Sequence, residues 1–142
     1  MPLDLNNKIV QQCAKGMLLE GEGKTEEAHA LFQQAWHDAT NNFERSTSAH
    51  YVARHQKSIA DKLKWDEISL HAALQVSDEN IKEYYPSLYL NIAKGYEDLN
   101  DIDNALKNYR LALSFTDVLT DDGYGKMIRS GIMNGIERVT QH

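Results

Sequence analysis

The sequence predicts an all-α fold, and three observations carry that prediction. Apolar residues recur at three- and four-residue steps in segment after segment, the period of a helix with one buried face. Leu, Ala, Lys, Glu, Asn and Asp dominate over Val and Thr, which favours helix over sheet. The periodic segments are separated by short polar or glycine-containing breaks, and the whole chain holds two prolines and eight glycines, too few for a long flexible linker.

The first helix is expected from about Lys8 to Glu20. Ile9, Val10, Cys13, Ala14, Met17 and Leu18 form its stripe, Asn6 or Asn7 caps its start, and Gly21 to Lys24 ends it. The second spans about Thr25 to Thr40 on Ala28, Leu31, Phe32, Ala35 and Trp36, with Thr25 as N-cap and Glu26 and Glu27 favourable near the positive helix start. A third is expected from Glu44 to Ile59 and a fourth from Lys64 to Val76, the latter with Trp65, Ile68, Ala72 and Leu74 as core. After a polar break at Ser77 to Asn80 and a single turn at Ile81 to Tyr85, the fifth begins at Pro86, which a first helical turn tolerates, and runs to about Leu99. Asn100-Asp101 is the next turn, and Asp101 or Asp103 caps a sixth helix reaching about Thr116. Asp121 to Gly125 reads as a loop with Asp122 as cap. A seventh helix follows from about Lys126 to Thr140 on Met127, Ile128, Ile132, Ile136 and Val139.

The chain of 142 residues is long enough for one domain that buries its own core. Its formal net charge of −6 disfavours non-specific association with nucleic acid or anionic lipid. Cys13 is the only cysteine, which excludes an intramolecular disulfide and a cysteine-built metal cage. The N-terminal MPLDLNNK lacks a basic stretch followed by an apolar run, and no window approaches the ~18 apolar residues a membrane helix needs. The expectation is a cytoplasmic protein with no membrane partner.

From Pro86 to Leu113 the spacing becomes specific. Tyr89, Ile92, Ala93 and Tyr96 are followed by Ala105, Tyr109 and Ala112, with small residues where two helices cross closely and large ones beside them. This resembles the tetratricopeptide repeat, W-x2-L-G-x2-Y then A-x3-F-x2-A over 34 residues. Gly16, Leu19, Gly23, Ala28, Phe32 and Ala35 fit the same pattern, although Gln12 and Lys15 stand where Trp and Leu belong. A middle unit is aligned with Ile68 at the small position and Gln56 where Gly or Ala is usual. The spacings are then 40 residues from Ala28 to Ile68 and 37 from Ile68 to Ala105. The resemblance implies an antiparallel helix-hairpin solenoid of about three repeats, near 8–41, 43–77 and 86–117. A capping helix at about 124–140 completes a single domain of residues 1–142.

The words HYVARHQ from His50, YYPSLYLNIAKGYEDLND from Tyr84 and DDGYGKMIRSGI from Asp121 are similar to a group of short bacterial tetratricopeptide proteins. Some of that group bear the name rRNA adenine methyltransferase. That name implies S-adenosylmethionine on a strand followed by a glycine-rich turn, and an Asn/Asp-Pro-Pro-aromatic motif beside the base. The chain has no Pro-Pro. Its Gly21-x-Gly23 follows a helix-period segment, and seven helices leave no room for a sheet. The residues therefore point to a non-enzymatic scaffold without cofactor. The methyltransferase, an accessory to one, or a homo-oligomerising module stand as alternatives.

Three constellations are candidate partner-binding sites. His50, Arg54 and Lys57 fall at i, i+4 and i+7 on one expected helical face, where Arg54 would pair a carboxylate or phosphate bidentately; the same spacing suits a solvated face. Asn91 and Lys94 lie in the first helix of the last repeat, and the resemblance to co-chaperone repeats implies a clamp on a peptide's C-terminal carboxylate. That clamp is incomplete, because Ala14 and Met17 stand at its other sites. Tyr124, between two glycines, is an expected exposed aromatic anchor for a protein or peptide partner. His29, His37, His55 and His71 lack the helical spacing of a zinc motif, and Cys13 in an apolar stripe reads as a small buried hydrophobe. The tryptophans, Phe32, Phe115 and Tyr109 are expected in the core.

Overall fold

A computed structural model describes residues 6–141, and among them the chain is all-helical, with no strand. The helices are α1 (Lys8–Gly21), α2 (Thr25–Asp38), α3 (Asn42–Ala53), α4 (Ile59–Leu74), α5 (Tyr85–Asp98), α6 (Ile102–Ser114) and α7 (Gly123–Thr140), with 3-10 turns at Glu79–Tyr84 and Thr116–Val118. None is long and apolar enough to cross a membrane. The described helices form two compact units, one ending at Asp78 and the other beginning at Glu79.

The first unit holds two helical hairpins, α1–α2 and α3–α4, with α3 also against α1 and α2. Asn7 starts α1 by accepting the Ile9 and Val10 amides, Asn41 starts α3 by accepting that of Glu44, and Ser58 starts α4 by accepting that of Asp61. Three residues connect α1 to α2, and Gly23 makes the turn at φ 79°, a left-handed conformation without strain for glycine. The core of Ile9, Cys13, Ala28, Phe32, Ala35 and Val52 is bordered by Leu19, Trp36, Tyr51 and Trp65. Gly16 is obligatory in this packing, because a β-carbon there would overlap the Phe32 ring.

The α3–α4 interface is more polar. Ser69 donates to the Ser46 carbonyl at 2.7 Å, and the two hydroxyls lie 3.3 Å apart, all buried. Buried Glu44 accepts from the Thr40 amide and hydroxyl and from Asn7. Burial pushes its carboxyl upward, but these hydrogen bonds outweigh burial and hold it below the usual carboxylate range.

In the second unit α5 and α6 form a hairpin, and α7 lies against both. Asp101 and Asp122 cap α6 and α7 as expected, and Pro86 sits in the first turn of α5. Ala93, Ala105, Tyr109 and Val139 form one buried cluster, and Ala112, Ile128 and Ile132 a second. Glu97 joins the three helices: it accepts from the Tyr109 hydroxyl at 2.6 Å and from Arg138 through both carboxylate oxygens. Arg138 first, against the opposing effect of burial, holds the Glu97 carboxyl below its ordinary range.

Several expected boundaries are corrected. The third helix ends at Ala53 rather than Ile59 and the fourth starts at Ile59 rather than Lys64, because the Ser58 hydroxyl supplies an N-cap. Thr25 is the first residue of α2 rather than its cap. Ile68 is only half-buried and Gln56 lies outside the helices, so that pairing does not describe the α3–α4 crossing; Ser46 and Ser69 meet there instead. Leu74 and Met127 are exposed, not core, and both tryptophans and Phe115 are half-buried.

Candidate functional site

The expected cationic face of His50, Arg54 and Lys57 does not form. With α3 ending at Ala53, Arg54 is its C-cap and Lys57 lies beyond it on exposed chain. His50 turns inward, its ring 5.0 Å from that of Tyr51 and its Nδ1 shut off from solvent without a hydrogen-bond partner. Burial first, then the charges of Arg54 and Lys62, push its pKa down to about 4, so the ring is neutral at physiological pH.

Arg54 and His55 instead close onto α1. Glu20 takes Arg54 Nη2 on one carboxylate oxygen at 3.1 Å and His55 Nε2 on the other at 2.6 Å. The His55 ring packs 5.4 Å from both His29 and Phe32, and the Arg54 guanidinium lies 5.7 Å above the Tyr51 ring centre. The side chain expected to hold a ligand carboxylate is thus occupied by one from its own chain. This arrangement locks the α3–α4 connection against α1 and is structural.

In the second unit, Asn91 is half-buried on α5, while exposed Lys94 is engaged by Asp98 one turn on. Neither extends into a wider cluster of cations. The residues described contain no group of three His, Cys, Asp or Glu able to hold a metal ion.

Tyr124 is placed differently from the other candidates. It belongs to the first turn of α7 rather than to a loop, and its side chain is 48% exposed. The chain before it is held in place. Arg129 Nη2 donates to the carbonyls of Thr116 and Leu119 at 3.3 and 3.0 Å, and its Nη1 to that of Thr120 at 3.2 Å. Asp122 Oδ1 accepts the Gly125 amide at 2.9 Å, and this bond first among several lowers the Asp122 pKa. Gly125 lies so close to the Thr120 carbonyl that no β-carbon fits. Met127, three residues on and 61% exposed, shares the face of Tyr124. The result is an exposed aromatic–thioether pair at the start of α7, on backbone held by Arg129 and Asp122.

Sequence reasoning named Tyr124 but missed Arg129 as the clamp, since a lone arginine among periodic residues carries no signal of the carbonyls it meets. It also missed Glu20, whose partners lie 34 and 35 residues away. No family model, no curated protein and no solved structure matches the chain.

Proposed function

We propose that the chain is a non-enzymatic protein-interaction scaffold built of tetratricopeptide-like hairpins, and that Tyr124 and Met127 anchor its partner. The carrying observation is a hairpin arrangement repeated in two separately packed units. In the first, α1 ends with Gly23 in the left-handed conformation, the Lys24 amide returns to the Leu19 carbonyl, and Ala28, Phe32 and Ala35 are fully buried. In the second, α5 ends with Asn100 in the same conformation at φ 62°, the Asp101 amide returns to the Tyr96 carbonyl, and Ala105, Tyr109 and Ala112 are fully buried. Recurrence of turn, small residues and aromatic at one spacing supports a repeat scaffold with α7 as its terminal, capping helix.

A scaffold of this kind presents side chains rather than chemistry. The strongly shifted titratable groups among the described residues each have a structural cause, burial for His50, Tyr109 and Cys13 and the pairing with Glu97 for Arg138. The test is affinity capture from the source organism's lysate with wild type and with Tyr124→Ala/Met127→Ala. The expected result is one or more proteins retained by wild type and lost, at least ~30-fold, from the double variant, since anchor residues contribute on the order of 2 kcal/mol or more. Retention of the same proteins by both forms would place the partner elsewhere. Calorimetric binding of S-adenosylmethionine would overturn the non-enzymatic reading.

A further inference from the structure

We propose that the cavity at the starts of α1 and α3 is a binding site for a neutral carbohydrate. The cavity has a volume of about 410 Å³ and lies wholly in the first unit. Asn7, Asn41, Asn42 and Phe43 form one side of it, and the chain leaving α4, from Gln75 to Asp78, forms the other. That size falls within the ~300–1,000 Å³ of small-molecule sites. The lining is unlike that of an apolar pocket. Of the eight residues, Phe43 and Val76 alone are apolar, and four of the other six carry carboxamides.

The asparagines are set in one direction. Asn7 Oδ1 accepts the Ile9 and Val10 amides, Asn41 Oδ1 accepts that of Glu44, and Asn42 Oδ1 accepts from Arg45 Nη1 at 3.2 Å. Asn7 Nδ2 is spent on Glu44 Oε2 at 2.7 Å. What Asn41 and Asn42 have left to offer is N–H, so this side of the cavity donates and its ligand accepts. The α4 side takes both roles: Gln75 and Ser77 are exposed and can donate or accept, and Asp78 accepts.

Charge then selects among acceptors. None of the described residues lining the cavity is a cation, Asp78 is an anion, and Glu44, behind Asn7 and Asn41, is a second. Against the upward push of burial, hydrogen bonds from Thr40, Asn7 and Asn41 hold the Glu44 carboxyl below its usual range, so it is ionised at neutral pH. The asparagine oxygens already serve first-turn amides of α1 and α3, which weakens the pull of those helix ends on phosphate. Anionic ligands are thus disfavoured. A sugar hydroxyl is neutral and accepts and donates at once, which suits N–H groups on one side and a carboxylate on the other. The half-buried Phe43 ring supplies a π face for the polarised C–H groups of a pyranose. This site is independent of the Tyr124 surface.

The test is an amide NMR titration of the isotope-labelled full chain with glucose, galactose, mannose, maltose and cellobiose up to about 100 mM, concentrations that reach weak association. At least one sugar is expected to shift the side-chain amides of Asn41, Asn42 and Gln75 and the backbone amides from Gln75 to Asp78 saturably, with a Kd of about 10 mM or tighter. Asn42→Ala and Gln75→Ala leave the Asn7 and Asn41 caps in place and the circular dichroism unchanged, and each weakens binding at least ~5-fold. Glucuronate and galacturonate bind at least ~3-fold more weakly than the corresponding hexoses, because Asp78 and Glu44 repel them. Glycerol leaves the same signals in place. The proposal is overturned if no sugar gives a saturable shift, if the shifts lie outside the cavity, if both variants bind as wild type does, or if the uronates bind as tightly as the hexoses. Equal shifts with glycerol overturn it as well, reducing the effect to hydration. Shifts with N-acetylalanine methylamide and with no sugar would assign the cavity to peptide backbone instead.

Discussion

A β-carbon at Gly135 of α7 would fall inside the ring of Tyr109 on α6, so the aromatic at the centre of the second unit is seated on a bare stretch of helix backbone. The Tyr109 ring is fully buried and its hydroxyl is held by Glu97 and Arg138, which leaves it no room to withdraw. Gly135→Ala therefore has a determinate sign. Alanine normally adds about 1 kcal/mol in a helix interior, but overpacking costs about 1–3 kcal/mol or more. Urea melts are expected to show net destabilisation of up to about 2 kcal/mol on these opposing magnitudes. Gly123→Ala, with nothing near its added methyl, should be close to neutral. Equal effects at the two glycines would count against the packing described.

Gly16 and Phe32 make the same contact in the first unit, and Gly16→Ala should destabilise it to a similar degree, read from a spectroscopic change at Trp36 and Trp65. These indoles stand edge to face, 5.1 Å apart, across α2 and α4. Gly135→Ala, in the second unit, should leave the native tryptophan signal unchanged, which separates the two glycine contacts.

The His50 ring makes the first unit acid-sensitive. Its pKa is pushed from 6.5 to about 4 by burial and by the neighbouring charges of Arg54 and Lys62. The folded state therefore binds a proton less readily than the unfolded one. Its contribution is intact above pH 6.5 and is lost as pH falls from there toward about 4. His29, lowered by burial and by His55, acts in the same direction. The buried carboxyls of the unit are shifted in opposite directions, Asp66 upward by burial and Glu44 downward by its hydrogen bonds, which outweigh burial. Between pH 7 and pH 5 the unfolding free energy should fall by about 1–2 kcal/mol, following the linkage of ~1.4 kcal/mol per pH unit per group. His50→Gln should flatten that slope. An unchanged slope would mean that the ring is not shielded as the structure has it.

Removal of Arg129 tests whether the Tyr124 mount is rigid. Its guanidinium serves three carbonyls between Thr116 and Thr120. Arg129→Met keeps much of the stem and removes those bonds, each worth roughly 1 kcal/mol or somewhat more because the donor is charged. Limited proteolysis should then cut between Thr116 and Asp122 while the remainder of α7 stays protected, and partner capture should fall although Tyr124 itself is intact. Unchanged cleavage would show that Asp122 and Gly125 suffice.

The pattern of helices was legible because it rests on local physics. Periodicity, the caps at Asn7, Asp101 and Asp122, and the turns at Gly23 and Asn100 are all written within a few residues of the structure they make. The α3–α4 connection was misplaced because Ala49 to Ile59 keeps an apolar rhythm through the break, and only Ser58 signals it. The roles of His50 and Arg54 were illegible for a different reason. A helical wheel gives the spacing of side chains on one element, whereas Glu20, which decides where Arg54 and His55 go, is on another. Tyr124 was legible as an exposed aromatic, but its mounting depended on Arg129 reaching back up to 13 residues.

Cys13 supplies a direct measure of opening in the first unit. It is 1% exposed, and burial pushes its thiol from 9.0 to about 12. Only thiolate attacks an aromatic disulfide reagent, so the shift alone reduces the reactive form by about a thousandfold at pH 8, and exclusion of reagent reduces it further. Modification should be undetectable over minutes in native buffer. It should rise with urea along the same curve as the tryptophan signal, because both report release of the core formed by Ile9, Phe32 and Val52. Cys13→Ser should cost more than Cys13→Ala if the site is as dry as its surroundings indicate. A buried hydroxyl without a partner is penalised by roughly 1–3 kcal/mol, whereas alanine leaves only a small void. Rapid labelling of the native protein, or a serine variant as stable as the alanine one, would mean that water reaches the α1–α2 crossing.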